Sequence, residues 1–300
     1  MLTKILAKVY HRIEKVQTWL IQKDIEEPKP RLGSYPYLSG DSFLQISDCA
    51  ILRGHNSPLV LKDKSKPKIL FVEGELLEQD WVINYCRNFK AVICHNADKP
   101  VSESTMEILR SQNCYIFATN IQRVDQFSEP IPIGIENAHL RRNGSLHHYN
   151  LLSMARLNLA KKQEILVSFS VETNPSIRKD VEQCCREYGL KNETKLDLRT
   201  FRKRLGESYF IVSPPGNGID CHRTWEAIYH GCIPIIEGKY NLFKHLKLPI
   251  ATFDSLREFL ELNTGERLRL YSQIMRMYTP EIYMDWWINH INTTITRREK

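Results

Sequence analysis

The chain passes again and again from a short run of consecutive apolar residues into a helical pattern, and few folds accommodate that alternation. "KILFVEG" (68–74), "AVICHN" (91–96) and "CYIFATN" (114–120) are separated by helical stretches near 76–89 and 101–112. Strands that are apolar at nearly every position have both faces covered, which marks a parallel sheet between helix layers. "EPIPIGIEN" (129–137) ends this series, and the polar stretch "AHLRRNGSLHHYN" follows it. The alternation restarts with "EILVSFSVETN" (164–174), helices near 177–188 and 197–206, "YFIVS" (209–213), a helix near 220–230 and "IPIIEG" (233–238). The pattern predicts an α/β protein of two doubly wound halves, which 300 residues can accommodate. The expected division is a helix and linker over 1–30, a first α/β domain over 31–150 and a second over 151–300. From Asp254 the chain reads as helical, with Trp286, Trp287 and Ile291 packing on one of the halves.

Composition narrows the function classes. The 42 basic against 35 acidic residues give a mild positive excess, compatible with anionic ligands but far from a nucleic-acid footprint. Eight cysteines show no Cys-x-x-Cys spacing, and several sit in apolar runs, so reduced thiols are expected. No apolar run is long enough to cross a bilayer. The first 23 residues place Leu2, Ile5, Leu6, Val9, Ile13, Val16 and Leu20 on one helical stripe, with Lys4, Lys8, Arg12 and Lys15 off it. Charges interrupt every apolar stretch there, so a signal peptide is not expected. Such a helix either docks on the protein's own core or makes a peripheral contact with an anionic membrane surface. A cytoplasmic protein is the expectation. Asn-x-Ser/Thr triplets at Asn192 and Asn292 would matter only in a secretory lumen.

The most informative stretch is "FIVSPPGNGIDCHRTWEAIYHGCIPIIEG", Phe210 to Gly238. Open α/β sheets bind ligands at the carboxyl ends of their strands, where loops meet helix N-termini. Here an apolar strand runs into a glycine-broken loop in which Gly216, Asn217 and Gly218 are expected to offer backbone N–H groups. Asp220 is expected to cap the next helix and Gly231 to end it. Arg223 and Glu226, three apart, share a face near the start of that helix. An arginine beside a helix N-terminus suits a phosphate, and a carboxylate suits a ribose diol. A surface Arg–Glu pair on an ordinary amphipathic helix is the alternative. Arg178, opening the helix after "TNPS", is either a second phosphate ligand or a solvated arginine.

These residues resemble the nucleotide-sugar-binding motif of exostosin-like glycosyltransferases over about 25 residues without a gap. "FSVETNPSIRK", "ICHNAD" and "IPIGIEN" have a looser likeness to other segments of that group. The resemblance implies a GT-B fold with two Rossmann-like halves facing a cleft, a nucleotide-diphosphate sugar as donor, a glycan or other hydroxyl as acceptor, and inversion at the anomeric carbon. It implies that Arg223 contacts the diphosphate and Glu226 the ribose, and that Ser213, Gly216, Asn217, Gly218 and Asp220 shape the loop. It makes the 31–150 half the acceptor side and the 151–300 half the donor side. The sequence holds no Asp-x-Asp pair, so no metal and no cofactor are expected.

An inverting transfer needs a base for the acceptor hydroxyl. His95 and Asp98, just beyond a buried strand, are favoured, with Asp41 and Glu136 as further candidates. Asp41 and Asp98 can equally cap helices, and Glu136 can pair with Arg141 or Arg142. Arg199, Arg202, Lys203 and Arg204 make a basic helix that is either solvated or turned toward a phosphorylated acceptor or lipid headgroup. No Gly-x-Gly-x-x-Gly and no Gly-Lys-Ser/Thr loop is present, which weakens dehydrogenase and NTPase readings. The rival from another class is a non-catalytic nucleotide-sugar or glycan-binding protein that keeps the fold.

Overall fold

The apolar runs form two separate sheets, and each residue's parity within its strand decides which core it enters. The computed structural model describes residues 33–140, 144, 146, 149 and 161–298. The N-terminal helix, the 150/151 boundary, Arg141, Arg142, His147 and His148 lie outside the described residues. The first sheet contains β1 (Cys49–Ile51), β2 (Leu59–Val60), β3 (Ile69–Glu73), β4 (Ala91–His95), β5 (Tyr115–Ala118) and β6 (Ser128–Pro130), in the order β2-β1-β3-β4-β5-β6. Only the edge strand β2 runs antiparallel. The second sheet is fully parallel, with β7 (Gln163–Val167), β8 (Ser208–Val212), β9 (Ile233–Glu237) and β10 (Ala251–Phe253) in the order β10-β9-β8-β7.

Alternate residues of one strand point to opposite faces. Ile69, Phe71, Ala91, Ile93, Tyr115 and Phe117 enter one core, while Leu70, Val72, Val92, Cys94, Ile116 and Ala118 enter another. Helices α2 (Asp80–Cys86) and α3 (Glu103–Ser111) cover the second of these faces through Val82, Ile83, Cys86, Met106 and Leu109. In the second half, Val167, Phe210, Val212, Ile233 and Ile235 face one core, and Leu166 and Ile211 face the other. The two Rossmann-like halves read from the sequence are thus present, each covered on both faces. Strand order follows chain order throughout the second sheet; in the first, β2 turns back antiparallel to the edge beside β1, and the series from β1 through β3 to β6 then runs in order. The cleft sits between loops at the carboxyl ends of both sheets.

The first half's other face is covered from far along the chain. Helix α1 (Gly40–Ile46) contributes Phe43 and Leu44, and the C-terminal helix, α9 (Met284–Arg297), contributes Met284, Trp287, Ile291 and Ile295. Trp287 meets Phe43 edge-on at 6.0 Å between ring centroids, and His290 Nε2 lies 2.6 Å from Glu129 Oε1. The helix expected within the 151–300 half thus crosses back and completes the core of the 31–150 half. Its apolar stripe, Trp287, Ile291 and Ile295 at four-residue spacing, does this by hydrophobic burial. Helix α6 (His222–Tyr229) enters the same core through Trp225, Ile228 and Tyr229, while its Ala227 packs on the second sheet. No helix among the described residues is long and apolar enough to cross a membrane. All eight cysteines are unpaired, six of them buried.

Replacing Trp287 by alanine should lower the unfolding free energy by about 3–5 kcal/mol, the range for a large aromatic removed from a core. Urea denaturation followed by circular dichroism measures it, with the half-buried Trp286→Ala as the comparison. Equal losses in the two variants would mean that α9 does not anchor the first half.

Candidate functional site

Loops at the carboxyl ends of both sheets enclose a cleft of about 420 Å³, within the size range of small-molecule sites. From the first half come Asp98 and Ile133. From the second come the loop after β7 (Ser168, Phe169, Ser170, Thr173), helix α4 (Pro175–Glu187) through Arg178, the turn Thr194–Leu196, and the stretch from Gly216 to Glu226. Of the residues singled out in the sequence, Asp98, Arg178, Gly216, Asn217, Gly218, Asp220, Arg223 and Glu226 all line this cleft.

Helix α6 carries the charged pair. Arg223 is half-buried, and its Nη1 is fully buried without a hydrogen-bond partner. Burial lowers its pKa and the pKa of Arg178, and the two guanidinium charges stand close enough for Arg223 to lower Arg178 further. Glu226 is buried on the inner wall, its Oε1 3.5 Å from the Tyr149 hydroxyl. Burial pushes its carboxyl up to about 7, against the opposing pull of Arg202 and Arg223. Gly231 follows the helix at φ +65°, where a left-handed residue ends it as expected.

Several residues do something other than expected. Arg178 is buried, and its Nε and Nη1 donate to the carbonyls of Pro215 and Ser170, both at 2.7 Å. It is first a brace for the Pro214–Pro215 loop, and then a cation at the cleft. Gly216 does not offer a free N–H, because that group donates to Gly218 O at 2.9 Å. Gly218 is needed for close approach: a Cβ there would stand 2.6 Å from Asn120 Nδ2. Ser213 lies behind the loop, its hydroxyl 2.9 Å from Thr224 Oγ1, and lines a separate small cavity.

Asp220 is not the helix cap; Cys221 occupies that position without a side-chain bond. The Asp220 carboxylate is buried, accepting from the Ile133 N–H at 2.8 Å and from Trp225 Nε1 at 2.9 Å. Its own N–H donates to Asn120 Oδ1 at 2.9 Å. A residue of the second half is thus tied to two strand ends of the first. Burial raises its pKa to about 7 despite those donors.

The candidate bases separate clearly. His95 is fully buried behind the cleft. Its Nε2 faces Pro132 O at 3.0 Å and its Nδ1 accepts the Asn96 N–H at 2.8 Å. Both nitrogens are therefore engaged, and burial lowers its pKa to about 4. Asp41 is also fully buried; Ser39 caps α1, and the Asp41 carboxylate holds His139 Nδ1 at 3.0 Å and the His139 N–H at 3.2 Å. Asp98 is exposed, with Asn217 Nδ2 3.4 Å from its Oδ2. Glu136 is half-buried and close enough to His222 and Glu226 to raise the pKa of both. No group of three or more potential metal ligands is present among the described residues.

The sequence reading did not single out His222, which lines the cleft with Nδ1 2.7 Å from Gly134 O. Its place one residue before Arg223 and four before Glu226 is the available signal. Thr194 and Lys195 were also missed, because they reach the cleft from a turn with no motif of its own. Compared with known protein families and with curated proteins, the chain matches none.

Two measurements follow from this geometry. Asp220→Ala leaves the Ile133 N–H and the Trp225 indole N–H buried without an acceptor and should cost about 2–4 kcal/mol in urea unfolding. Asp220 and Glu226 have folded-state pKa values raised to about 7, so the folded state holds their protons more tightly than the unfolded chain. The stability they contribute is complete below about pH 4 and is lost as pH rises through about 7. In Glu226→Gln the fall in unfolding free energy between about pH 5 and pH 8 should shrink by about 2 kcal/mol; an unchanged slope would refute the assignment.

Proposed function

We propose that the chain is a glycosyltransferase that moves a sugar from a nucleotide-diphosphate donor to a hydroxyl of a glycan or other acceptor. The observation that carries this reading is the buried, unpartnered Nη1 of Arg223, beside Arg178, in a cleft whose inner wall is the Glu226 carboxylate. A buried donor without a partner is costly unless a ligand satisfies it. Two cations that repel each other are relieved by a polyanion, and a diphosphate supplies both the charge and the acceptor oxygens. Glu226 cannot accept a phosphate but can accept two hydroxyl donors, as a ribose offers.

In this reading, the Arg223 and Arg178 guanidinium groups stabilise the charge that develops on the leaving diphosphate. The same pair neutralises the donor in a chain without an Asp-x-Asp sequence, so the proposed transfer is metal-independent. Inversion at the anomeric carbon and a GT-B relationship rest on the resemblance to exostosin-like enzymes. A cytoplasmic location belongs to the same proposal and is supported by the eight unpaired cysteines, and residues 1–23 are its peripheral membrane contact.

A melting-temperature screen against UDP, GDP, CMP and their common sugar conjugates tests the reading. One nucleoside diphosphate should raise the melting temperature, with or without EDTA. Calorimetry with that nucleotide should show Arg223→Ala binding at least about 10-fold more weakly, the scale of a charge-assisted hydrogen bond. A folded protein that responds to no nucleotide would sink the proposal. Binding without transfer to any hydroxyl would favour the non-catalytic reading.

A further inference from the structure

We infer that His222 is the general base of this transfer, its Nε2 taking the proton of the acceptor hydroxyl. The inference rests on the donor-cleft reading above. The Nδ1 of His222 lies 2.7 Å from Gly134 O, and a carbonyl oxygen can only accept. Nδ1 therefore carries the proton, and in the neutral ring Nε2 keeps its lone pair. The ring lines the cleft, on the helix that carries Arg223 and Glu226. Residues 222 and 226, four apart, share one helix face.

The carbonyl that fixes this tautomer is itself held in place. Gly134 has φ +65°, and a Cβ there would stand 2.0 Å from Leu38 O, so only glycine fits and the peptide keeps its direction. This is the orienting partner that a general base needs on its far nitrogen. Three of the other candidates lack such an arrangement. His95 has both nitrogens engaged, Asp41 holds His139, and Asp98 stands exposed beside Asn217.

The groups around the ring suit both of its protonation states. Arg223 and Glu226 share its helix, Glu136 and Asp98 face it from the first half, and His95 lies behind. Burial lowers the His222 pKa, keeping the ring neutral before reaction, while the Gly134 carbonyl and the Glu136 and Asp98 charges favour the imidazolium once it forms. In the step, the acceptor oxygen forms its bond to the anomeric carbon as its proton passes to Nε2. The bond from that carbon to the diphosphate oxygen breaks, and its electron pair leaves with the nucleoside diphosphate. The imidazolium then releases the proton to water.

His222→Asn is the informative variant, because the asparagine amide can still donate to Gly134 O but offers no base. The probes are UDP and GDP for binding, and their common sugar conjugates for turnover, read as release of nucleoside diphosphate. Turnover should fall at least about 100-fold, with the melting temperature and nucleotide Kd nearly unchanged. The wild-type acid limb, lying below the ordinary histidine range, should vanish from the residual rate. Nitrogen-15 NMR of labelled histidine should show the Nδ1–H tautomer for His222. Unimpaired turnover with normal binding, or an Nε2–H tautomer, overturns the base assignment and leaves the donor reading standing. Wild-type protein that binds neither nucleotide overturns both.

Discussion

The buried carboxylate of Asp220 is the contact on which the geometry of the cleft depends. It accepts one hydrogen bond from the backbone of Ile133 in the first half and others from the indole of Trp225 in its own helix. With the Asp220 N–H on Asn120, these bonds fix where α6 begins relative to two strand ends of the other sheet. Trp225 then carries that registration into a core shared with Phe43, Trp287 and Tyr229. A carboxylate taken out of water is tolerable only while its lone pairs are matched, so the latch holds fully or fails as a unit. The two halves are in this sense one body around the cleft, joined by polar bonds at its floor and by apolar packing behind it.

That rigidity explains how opposing electrostatic demands coexist in a small space. Burial lowers the pKa of Arg178 and Arg223, with Arg223 lowering Arg178 further, and Glu226 and Asp220 are pushed toward protonation by burial. Left to relax, such groups would turn to solvent. They cannot, because Arg178 is bonded to the Ser170 and Pro215 carbonyls and Glu226 lies on a helix whose residues 224 to 229 are all buried. The strain is held by the scaffold, and a polyanionic ligand with hydroxyl donors is the chemistry that would relieve it. Preorganised charge of this kind stabilises a leaving group without reorganisation during the reaction.

What the sequence made legible was local, and what it concealed was long-range. The strands were readable because residues such as Leu70 and Phe71, or Val92 and Ile93, are apolar on both faces. Helix α6 was readable because its loop, its polar face and Gly231 lie within 25 residues of one another. Short edge elements such as β2, which offers a half-buried and an exposed residue, carry no such pattern. Two of the misread site residues depend on distant partners: Asp41 on His139, 98 positions away, and Asp220 on Ile133, 87 positions away. No spacing rule in one chain reports those distances. The return of α9 to the first half belongs to the same class, since an apolar stripe announces burial but not the surface that buries it. His222 was hidden for another reason. The bond that gives its ring a defined tautomer goes to the backbone of Gly134, and a backbone acceptor leaves no trace in residue identity.

The placement of His222, Arg223 and Glu226 on one two-turn helix has a consequence for specificity. Their mutual geometry is set by helix periodicity alone, so it survives changes elsewhere in the fold. Their position relative to the first half is set in part by Asp220–Ile133 and His222–Gly134, which end on the backbone of residues 133 and 134. Asp98 and Glu136, on that side of the cleft, act on α6 through their charge, both favouring the His222 imidazolium and Glu136 the protonated Glu226. On the proposed function, donor chemistry lies on the helix and acceptor choice on first-half loops that are held through the Ile133 and Gly134 peptide groups and the Asn120 side chain. Because the Asp220 latch engages Ile133, Asn120 and Trp225 but not Asp98 or Glu136, acceptor preference is, on the proposed function, the property most open to change in this architecture.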